Sequence, residues 1–320
     1  MKRIFVYEYL SGGGVMAAGE AASDGLLALG QSMRDAIVAD LLKLEVYAVS
    51  VATCALAPPV LAPAMPVTPH AGESAFDFVA RHADSQDGVW LVAPETDGLL
   101  SQLQCRVDPA RWLGCDSSAI KIASGKRATL TRLAEAGICT PLAFEHAPEI
   151  TRWVVKPDDG AGAVATRVHT SAEAAWGDWS QRSRSGCPMA IEPWVEGEAL
   201  SLSLLCSGGR AELLSVNRQQ LSIDVQGMLA YRGVDVNVLP PASPRGTRLA
   251  ALATRVGHAI AGLRGFVGID LVWHAQRGPV LIEVNPRVTC AYVGLSQALG
   301  RNLAAEIIAA HIQEAAHGAA

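Results

Sequence analysis

The stretches GIDLVW, residues 268–273, and VLIEVNPR, residues 280–287, set Asp270, Glu283, Asn285 and Arg287 on what read as two short β-strands joined by a turn. Glu283 and Asn285 are two residues apart, so they project to one side of their strand, and Asp270 can face them across the pair. Carboxylates set among Ile, Val and Leu are costly to bury unless cations neutralise them. Hard oxygen donors in this pattern suit Mg2+ held jointly with nucleotide phosphates. Arg287 follows on the same face and can grip a phosphoryl oxygen or an oxyanion. A structural salt-bridge cluster is the other reading of the same residues.

Three further stretches carry polar chemistry. In VVKPDDGAGA, residues 154–163, a strand ends in Lys156 and runs into a loop. Its Gly160 and Gly162 let backbone N–H groups approach an anion while the lysine supplies positive charge, although a β-hairpin turn would look similar. In IEPWVEGEALS, residues 191–201, an apolar strand leads into Trp194 and Val195. Such a strand can line a purine slot, with a carboxylate a few residues on accepting from ribose hydroxyls. Taken alone, Glu192, Glu196 and Glu198 read as a solvated acidic face. The opening VYEYLSGGG, residues 6–14, is neither G-x-G-x-x-G nor followed by G-K-S or G-K-T, which makes it a poor dinucleotide or Walker loop. In a first βα turn, Gly12, Gly13 and Gly14 can offer amides to a carboxylate-bearing substrate while Glu8 and Ser11 hold an amino group. A plain strand-to-helix turn with a buried structural Glu8 remains the alternative.

The elements that must position these residues are legible as periodicities. Residues 3–9 read as a buried strand, Met33, Ile37, Val38, Leu41 and Leu42 recur at helical spacing, and residues 45–53 form a second strand. Residues 55–69 are a Pro/Ala-rich connector, too proline-dense for a regular element. A helix over 73–83, a strand over 89–93 and a helix beginning in PETDGLLSQL, with acids in its first turn, complete an α/β lobe with a parallel sheet over residues 1–115. SGKRATLTRLAEAGICTP then reads as one helix with Leu130, Leu133 and Ala134 on one face, ended by Gly137 and closed off by Pro141. RWVVKP is a strand, and residues 189–226 are β-rich and expected to be largely antiparallel. A helix over 245–263, the 268–287 strand pair and a helix over 303–314 follow. The expected division is an α/β lobe over 1–115, a small subdomain over 116–195 and a larger α+β lobe over 196–320.

Composition restricts the classes. Half of the 320 residues are apolar, the mean hydropathy is +0.23 and the formal net charge is -5. That is material for two or three compact lobes, with no apolar run of the roughly 18 residues a membrane span needs. Glu8 and the glycines interrupt the opening apolar stretch, unlike a signal peptide, so a cytoplasmic protein starting near Met1 is expected. The seven cysteines show no C-x-x-C spacing, which argues against a disulfide framework or zinc site. The absence of a basic cluster argues against nucleic acid. Lys2, Lys43, Lys121, Lys126 and Lys156 are the only lysines, so each invites a question.

From about residue 120 onward, the order and spacing of these pieces resemble the ATP-grasp superfamily of carboxylate–amine ligases, which carry a preceding α/β lobe. The resemblance implies ATP and Mg2+, with Mn2+ as the alternative ion. It implies that Lys126 and Lys156 contact the phosphates, that Glu192 with the Trp194 and Val195 backbone holds adenine, and that Glu198 holds the ribose. Asp270, Glu283 and Asn285 are then the metal ligands. The D-alanine–D-alanine ligase pattern has an arginine two residues before the first metal aspartate, where this chain has Gly268. Arg287 instead looks like the arginine of the biotin-carboxylase-like branch, which implies an oxyanion role. MKRIFVYEYLSGGG in turn resembles the start of the tyramine–glutamate ligase family of methanofuran synthesis, whose bacterial relatives serve one-carbon metabolism with methylofuran. This implies small-molecule substrates, L-glutamate through its γ-carboxylate and an aromatic amine (tyramine or tyrosine), joined through an acyl phosphate. A homodimer is the family-typical state. Another amino-acid or dipeptide ligase, or a non-catalytic nucleotide-binding module, is the competing reading. The module is disfavoured because both lysines and the Asp270, Glu283 and Asn285 set are present.

Overall fold

The computed structural model describes residues 1–18 and 24–318. The chain opens with β1 (Lys2–Glu8), α1 (Gly14–Ala17), α2 (Asp24–Leu42), β2 (Tyr47–Ala52), β3 (Met65–Val67), α3 (Ala75–Ala83) and β4 (Gly88–Val92). Its four strands pair in the order β3-β2-β1-β4, all parallel, as expected. Ile4 to Tyr7 are buried without alternation because helices cover both faces of such a sheet. The proline-rich connector does contain a strand, β3. Pro66 is tolerated there because β3 is an edge, where a missing N–H costs no central ladder bond.

A second departure matters more. The helix expected to begin in PETDGLLSQL starts only at α4 (Leu99–Gln104), because Asp97 (φ 52°) and Gly98 (φ 68°) are left-handed. Glu95 is therefore not a first-turn acid and lies just beyond the C-terminal end of β4.

Next come α5 (Ser117–Ser124) and α6 (Lys126–Glu135), which meet at an extended Gly125, so Ser124 closes the former and does not open the latter. Gly137, at φ 72°, follows α6 as expected of a helix stop. The three strands β5 (Trp153–Pro157), β6 (Arg167–His169) and β7 (Met189–Pro193) form a small antiparallel sheet ordered β6-β5-β7. Between β6 and β7 lies α7 (Ala172–Arg184), which the hydrophobic pattern did not announce. Ala175 is the residue it buries, so it carries almost no apolar periodicity, although Ser171 caps its first turn.

β8 (Glu198–Ser207), β9 (Arg210–Ile223), β10 (Leu229–Leu239), β11 (Gly265–His274) and β12 (Gly278–Asn285) form a five-stranded antiparallel sheet ordered β10-β9-β8-β11-β12. Helix α8 (Pro244–Ala259) packs on it and ends four residues earlier than expected. After β12 come α9 (Leu295–Leu299) and α10 (Leu303–Gly318). The α/β architecture with an antiparallel C-terminal sheet is as the sequence indicated. Among the described residues, no helix is long and apolar enough to cross a membrane.

One apolar core runs from Phe5, Tyr7 and Phe78 through Ile120 and Leu133 to Leu202, Val267 and Val284, joining the parallel sheet to the five-stranded one. A polar tie reinforces the other side. Buried Asp40 of α2 accepts from Tyr292 Oη at 3.0 Å and from Ser296 Oγ, and its backbone carbonyl accepts from Asn302 Nδ2 at 2.8 Å. Asp40→Ala strands two buried hydroxyls, so it is expected to cost about 2–4 kcal/mol, seen as a lower urea midpoint. An unchanged midpoint would show that the tie contributes nothing.

Candidate active site

The small sheet supplies the first buried charge. Lys156 sits near the end of β5, whose pairing with β7 sets Val154 opposite Glu192, two residues away on the same face. Lys156 Nζ donates to Glu192 Oε1 at 2.6 Å, and both residues are buried. Burial alone would lower the lysine pKa. The carboxylates of Glu192, Glu283 and Asp270 outweigh it and raise the pKa, so Lys156 stays charged. Glu192 thus faces the lysine, while its Oε2 and the indole Nε1 of Trp194 are buried without protein partners. The Trp194 backbone N–H donates to Arg152 O at 2.9 Å, and the Val195 side chain packs with Phe144 and Val280 into an apolar wall.

Lys126 comes from the first position of α6. Its backbone N–H donates to Asp158 O at 2.8 Å, and that of Arg127 donates to Asp158 Oδ1 at 2.9 Å, so the loop after β5 caps the helix. Lys126 Nζ donates to Gly160 O and lies 3.4 Å from Glu283 Oε1. Left-handed Gly162, Ala163 and Ala165 then turn the loop back into β6. The loop is tied at both ends: Asp159 Oδ2 accepts from Asp97 N at 2.7 Å, and Val168 N donates to Gly227 O at 2.8 Å in the β9–β10 hairpin.

Facing the lysines are the carboxylates of the five-stranded sheet. Asp270 and Glu283 are direct cross-strand partners. Asp270 Oδ1 accepts from Gln219 Nε2 at 2.8 Å and Oδ2 from Asn285 Nδ2 at 3.3 Å. Burial and then the Glu283 charge push Asp270 up to about 7, against the pull of Asn285, Arg287 and Lys156. Among the described residues, no three His, Cys, Asp or Glu side chains cluster as a self-sufficient metal site. Two carboxylates and an amide oxygen do fit Mg2+, which commonly takes one or two protein carboxylates and completes its shell with phosphates and water.

Arg287 stands beside this group, its charge felt by Asp270 and itself acted on by Glu283. Glu95 grips it through both oxygens, Nε to Oε1 at 2.8 Å and Nη2 to Oε2 at 2.9 Å, and Nη1 also donates to Val288 O at 3.2 Å. Burial would lower the guanidinium pKa, but Glu95 raises it. Glu95 and Gln219 were both missed in the sequence. Glu95 was masked by its apparent place in a helix, and Gln219 lies two strands away from Asp270, beyond simple cross-strand pairing.

Of the remaining residues singled out above, Glu198 is held by Arg245 at 2.7 Å and Arg218 at 3.0 Å, which lower its pKa against burial. The glycine run departs from the anion-cradle expectation. Ser11 N donates to Glu8 Oε2, Gly12 N to Glu8 O, Gly13 N to Leu10 O and Gly14 N to Tyr9 O, so the amides are engaged within the turn. A Cβ on Gly12 would lie 2.7 Å from both Glu8 O and the Tyr7 ring, so the glycine serves packing. Glu8 is buried and also accepts from Leu10 N at 3.1 Å.

Known proteins resemble the chain over most of its length. An ATP-grasp domain model matches residues 123–291, and a pre ATP-grasp 3 domain model matches residues 47–120. The chain is 31% identical over 215 residues to the tyramine–L-glutamate ligase of Methanocaldococcus jannaschii, covering 67% of this chain and 59% of that protein. The chain thus spans less than two thirds of that relative's length. Among solved structures, a putative ATP-grasp superfamily protein from Archaeoglobus fulgidus superposes with a TM-score of 0.71 at 21% identity, over 97% of this chain and 88% of that one. The ATP complex of D-alanine–D-alanine ligase from Bacillus anthracis superposes at 0.63 with 16% identity, over 98% of each chain. Both likenesses are of fold.

The raised Asp270 pKa carries a sign. Between about pH 4 and 7 the folded, metal-free protein holds a proton at Asp270 that the unfolded chain has lost, so this contribution to stability falls as pH rises through that window. Asp270→Asn removes the dependence. In EDTA it is expected to melt above wild type at pH 8, with the gap closing by pH 5. A gap absent at pH 8, or one that widens on acidification, would contradict the burial-driven shift.

Proposed function

We infer the function from one premise, that the chain belongs to the ATP-grasp domain family. On that footing it is an ADP-forming ligase that joins a carboxylate to an amine. The observation that carries this reading is the convergence of Lys126 and Lys156 on Asp270 and Glu283 between two sheets. A cluster of that composition, its lysines buried and its carboxylates half-buried, suits a polyphosphate whose negative charge is shared between lysines and divalent ions.

The proposed work of the residues follows from their places. Lys126 and Lys156 hold the phosphates, and the residue 158–166 loop closes over them and excludes water. The orphaned Glu192 Oε2, with the Trp194 and Val195 backbone, supports adenine at the wall of the small sheet. Glu198 reaches a ribose only if it shares its carboxylate with Arg245 and Arg218. Mg2+ held by Asp270, Glu283 and Asn285 supplies charge neutralisation for phosphoryl transfer. A carboxylate oxygen attacks the γ-phosphorus and ADP leaves. The amine then attacks the acyl carbon, phosphate leaves, and the nitrogen loses a proton. Arg287, steadied by Glu95, keeps N–H groups for the tetrahedral oxyanion.

The similarity to the tyramine–L-glutamate ligases supports L-glutamate, through its γ-carboxylate, and tyramine or tyrosine as the pair joined, with a place in methanofuran or methylofuran synthesis. Incubation with Mg-ATP, L-glutamate and either amine is expected to release ADP and a glutamyl-amine mass that is absent without ATP. The Asp270→Asn/Glu283→Gln double variant is expected to lose turnover by about 10^3-fold or more. ADP release with neither product would redirect the search to other acid–amine pairs. Wild-type turnover in the double variant would overturn the metal assignment.

A further inference from the structure

The first βα turn harbours orphaned polar atoms that the ligase chemistry leaves unused. Arg34 of α2 is fully buried, and its Nη1 and Nη2 have no hydrogen-bond partner, while the nearby Ser11 side chain bonds Glu8. Only Nε of Arg34 is paired, to Asp35 Oδ1 at 2.8 Å. A guanidinium is charged at any working pH, and a buried charge with two unpaired forks is costly. Orphans of this kind in one place call for a ligand or ordered water.

Their surroundings narrow the ligand. Gly30, one helical turn before Arg34, packs so tightly on Glu8 that a Cβ there would lie 2.5 Å from Glu8 Oε2. Long side chains on a helix lean toward its N-terminus, so Arg34 reaches back across the bare Gly30 toward Glu8. Each Glu8 oxygen accepts one backbone N–H, from Leu10 and Ser11, and retains capacity for another donor. Burial raises the Glu8 pKa, while the backbone and side-chain hydrogen bonds of Ser11, the Leu10 bond and the Arg34 charge pull it down. A cation donor beside Glu8 and an anion beside Arg34 would satisfy both groups.

The cluster also lies at the edge of the sheet nearest the reaction centre. Glu8 ends β1, β4 is its neighbour, and Glu95, just beyond β4, holds Arg287. Helix α2 packs on residues 290–292, directly after Arg287. The C-terminal edge of a parallel sheet is where open α/β folds take ligands.

We propose that Arg34, Glu8 and Ser11 form the head-group subsite of an α-amino acid: Arg34 forks its α-carboxylate, Glu8 accepts from its α-ammonium, and the Ser11 hydroxyl completes the set. The amino-acid side chain then extends toward Arg287. This rests on the ligase reading for its role, and it requires the Leu10–Gly14 turn to lift for entry, since Glu8, Ser11 and Arg34 are closed over.

The test uses the full chain with Mg2+ and a non-hydrolysable ATP analogue, titrated calorimetrically with the proteinogenic amino acids and with 4-aminobutyrate, which is glutamate without its α-carboxylate. At least one amino acid is expected to bind. If that is L-glutamate, it should bind about 30-fold tighter than 4-aminobutyrate, a margin that charge-assisted hydrogen bonds supply. Arg34→Met should erase this margin, and Arg34→Lys should restore part of it. No amino acid binding, or an Arg34→Met protein that binds amino acids like wild type, would overturn the subsite. A lowered melting temperature with unchanged preference would do the same and mark Arg34 as structural. Arg34-dependent binding without any amide product would sink the ligase reading and leave the subsite standing.

Discussion

Opposed charges between two antiparallel sheets, buried lysines facing half-buried carboxylates, are the constraint around which this molecule is arranged. Lys126 and Lys156 reach in from the small sheet and its capped helix, while Asp270 and Glu283 reach in from the five-stranded sheet. Neither set is stable in an apolar interior without the other. Together they stay short of neutrality in a specific way: Asp270 holds its proton to an unusually high pH, and Lys156 remains cationic. A ligand that brings both phosphates and Mg2+ relieves each strain at once, attaching anions to the lysines and cations to the carboxylates.

The rest of the fold keeps that cluster dry and in register with the parallel-sheet lobe. Asp159 meets the Asp97 amide, and Glu95 holds Arg287 by a two-point grip, so the residues after β4 contact both the loop after β5 and the segment just beyond β12. The same strand edge carries Glu8, with Arg34 of α2 close by. On the proposed reading, substrate recognition and phosphoryl chemistry would be joined through the C-terminal ends of two neighbouring parallel strands. The continuous core from Phe5 to Val284 and the Asp40 tie make this junction part of the folded body.

Much of this was legible in the sequence where one residue's chemistry depends on its near neighbours. The Asp270–Glu283 pairing followed from strand alternation across a short turn, and the two lysines stood out because lysine is scarce. The parallel sheet followed from β-α-β periodicity. What escaped depended on distant partners or on backbone exceptions. Left-handed Asp97 broke a helix that the pattern continued, and so freed Glu95 for Arg287. The glycine run looked like an anion cradle, yet its amides turn inward, because contacts with Tyr7 and Glu8 decide which atoms face out. Arg34 was not singled out in the sequence, and only its complete burial reveals it.

The most direct test of the central arrangement is calorimetric binding of a non-hydrolysable ATP analogue with and without Mg2+. Because the carboxylates repel phosphate until a divalent ion intervenes, Mg2+ is expected to tighten binding to wild type by about 10-fold or more. The Asp270→Asn/Glu283→Gln protein is expected to bind equally with and without the ion. Tight, Mg2+-independent binding to wild type, or no nucleotide binding at all, would contradict the account.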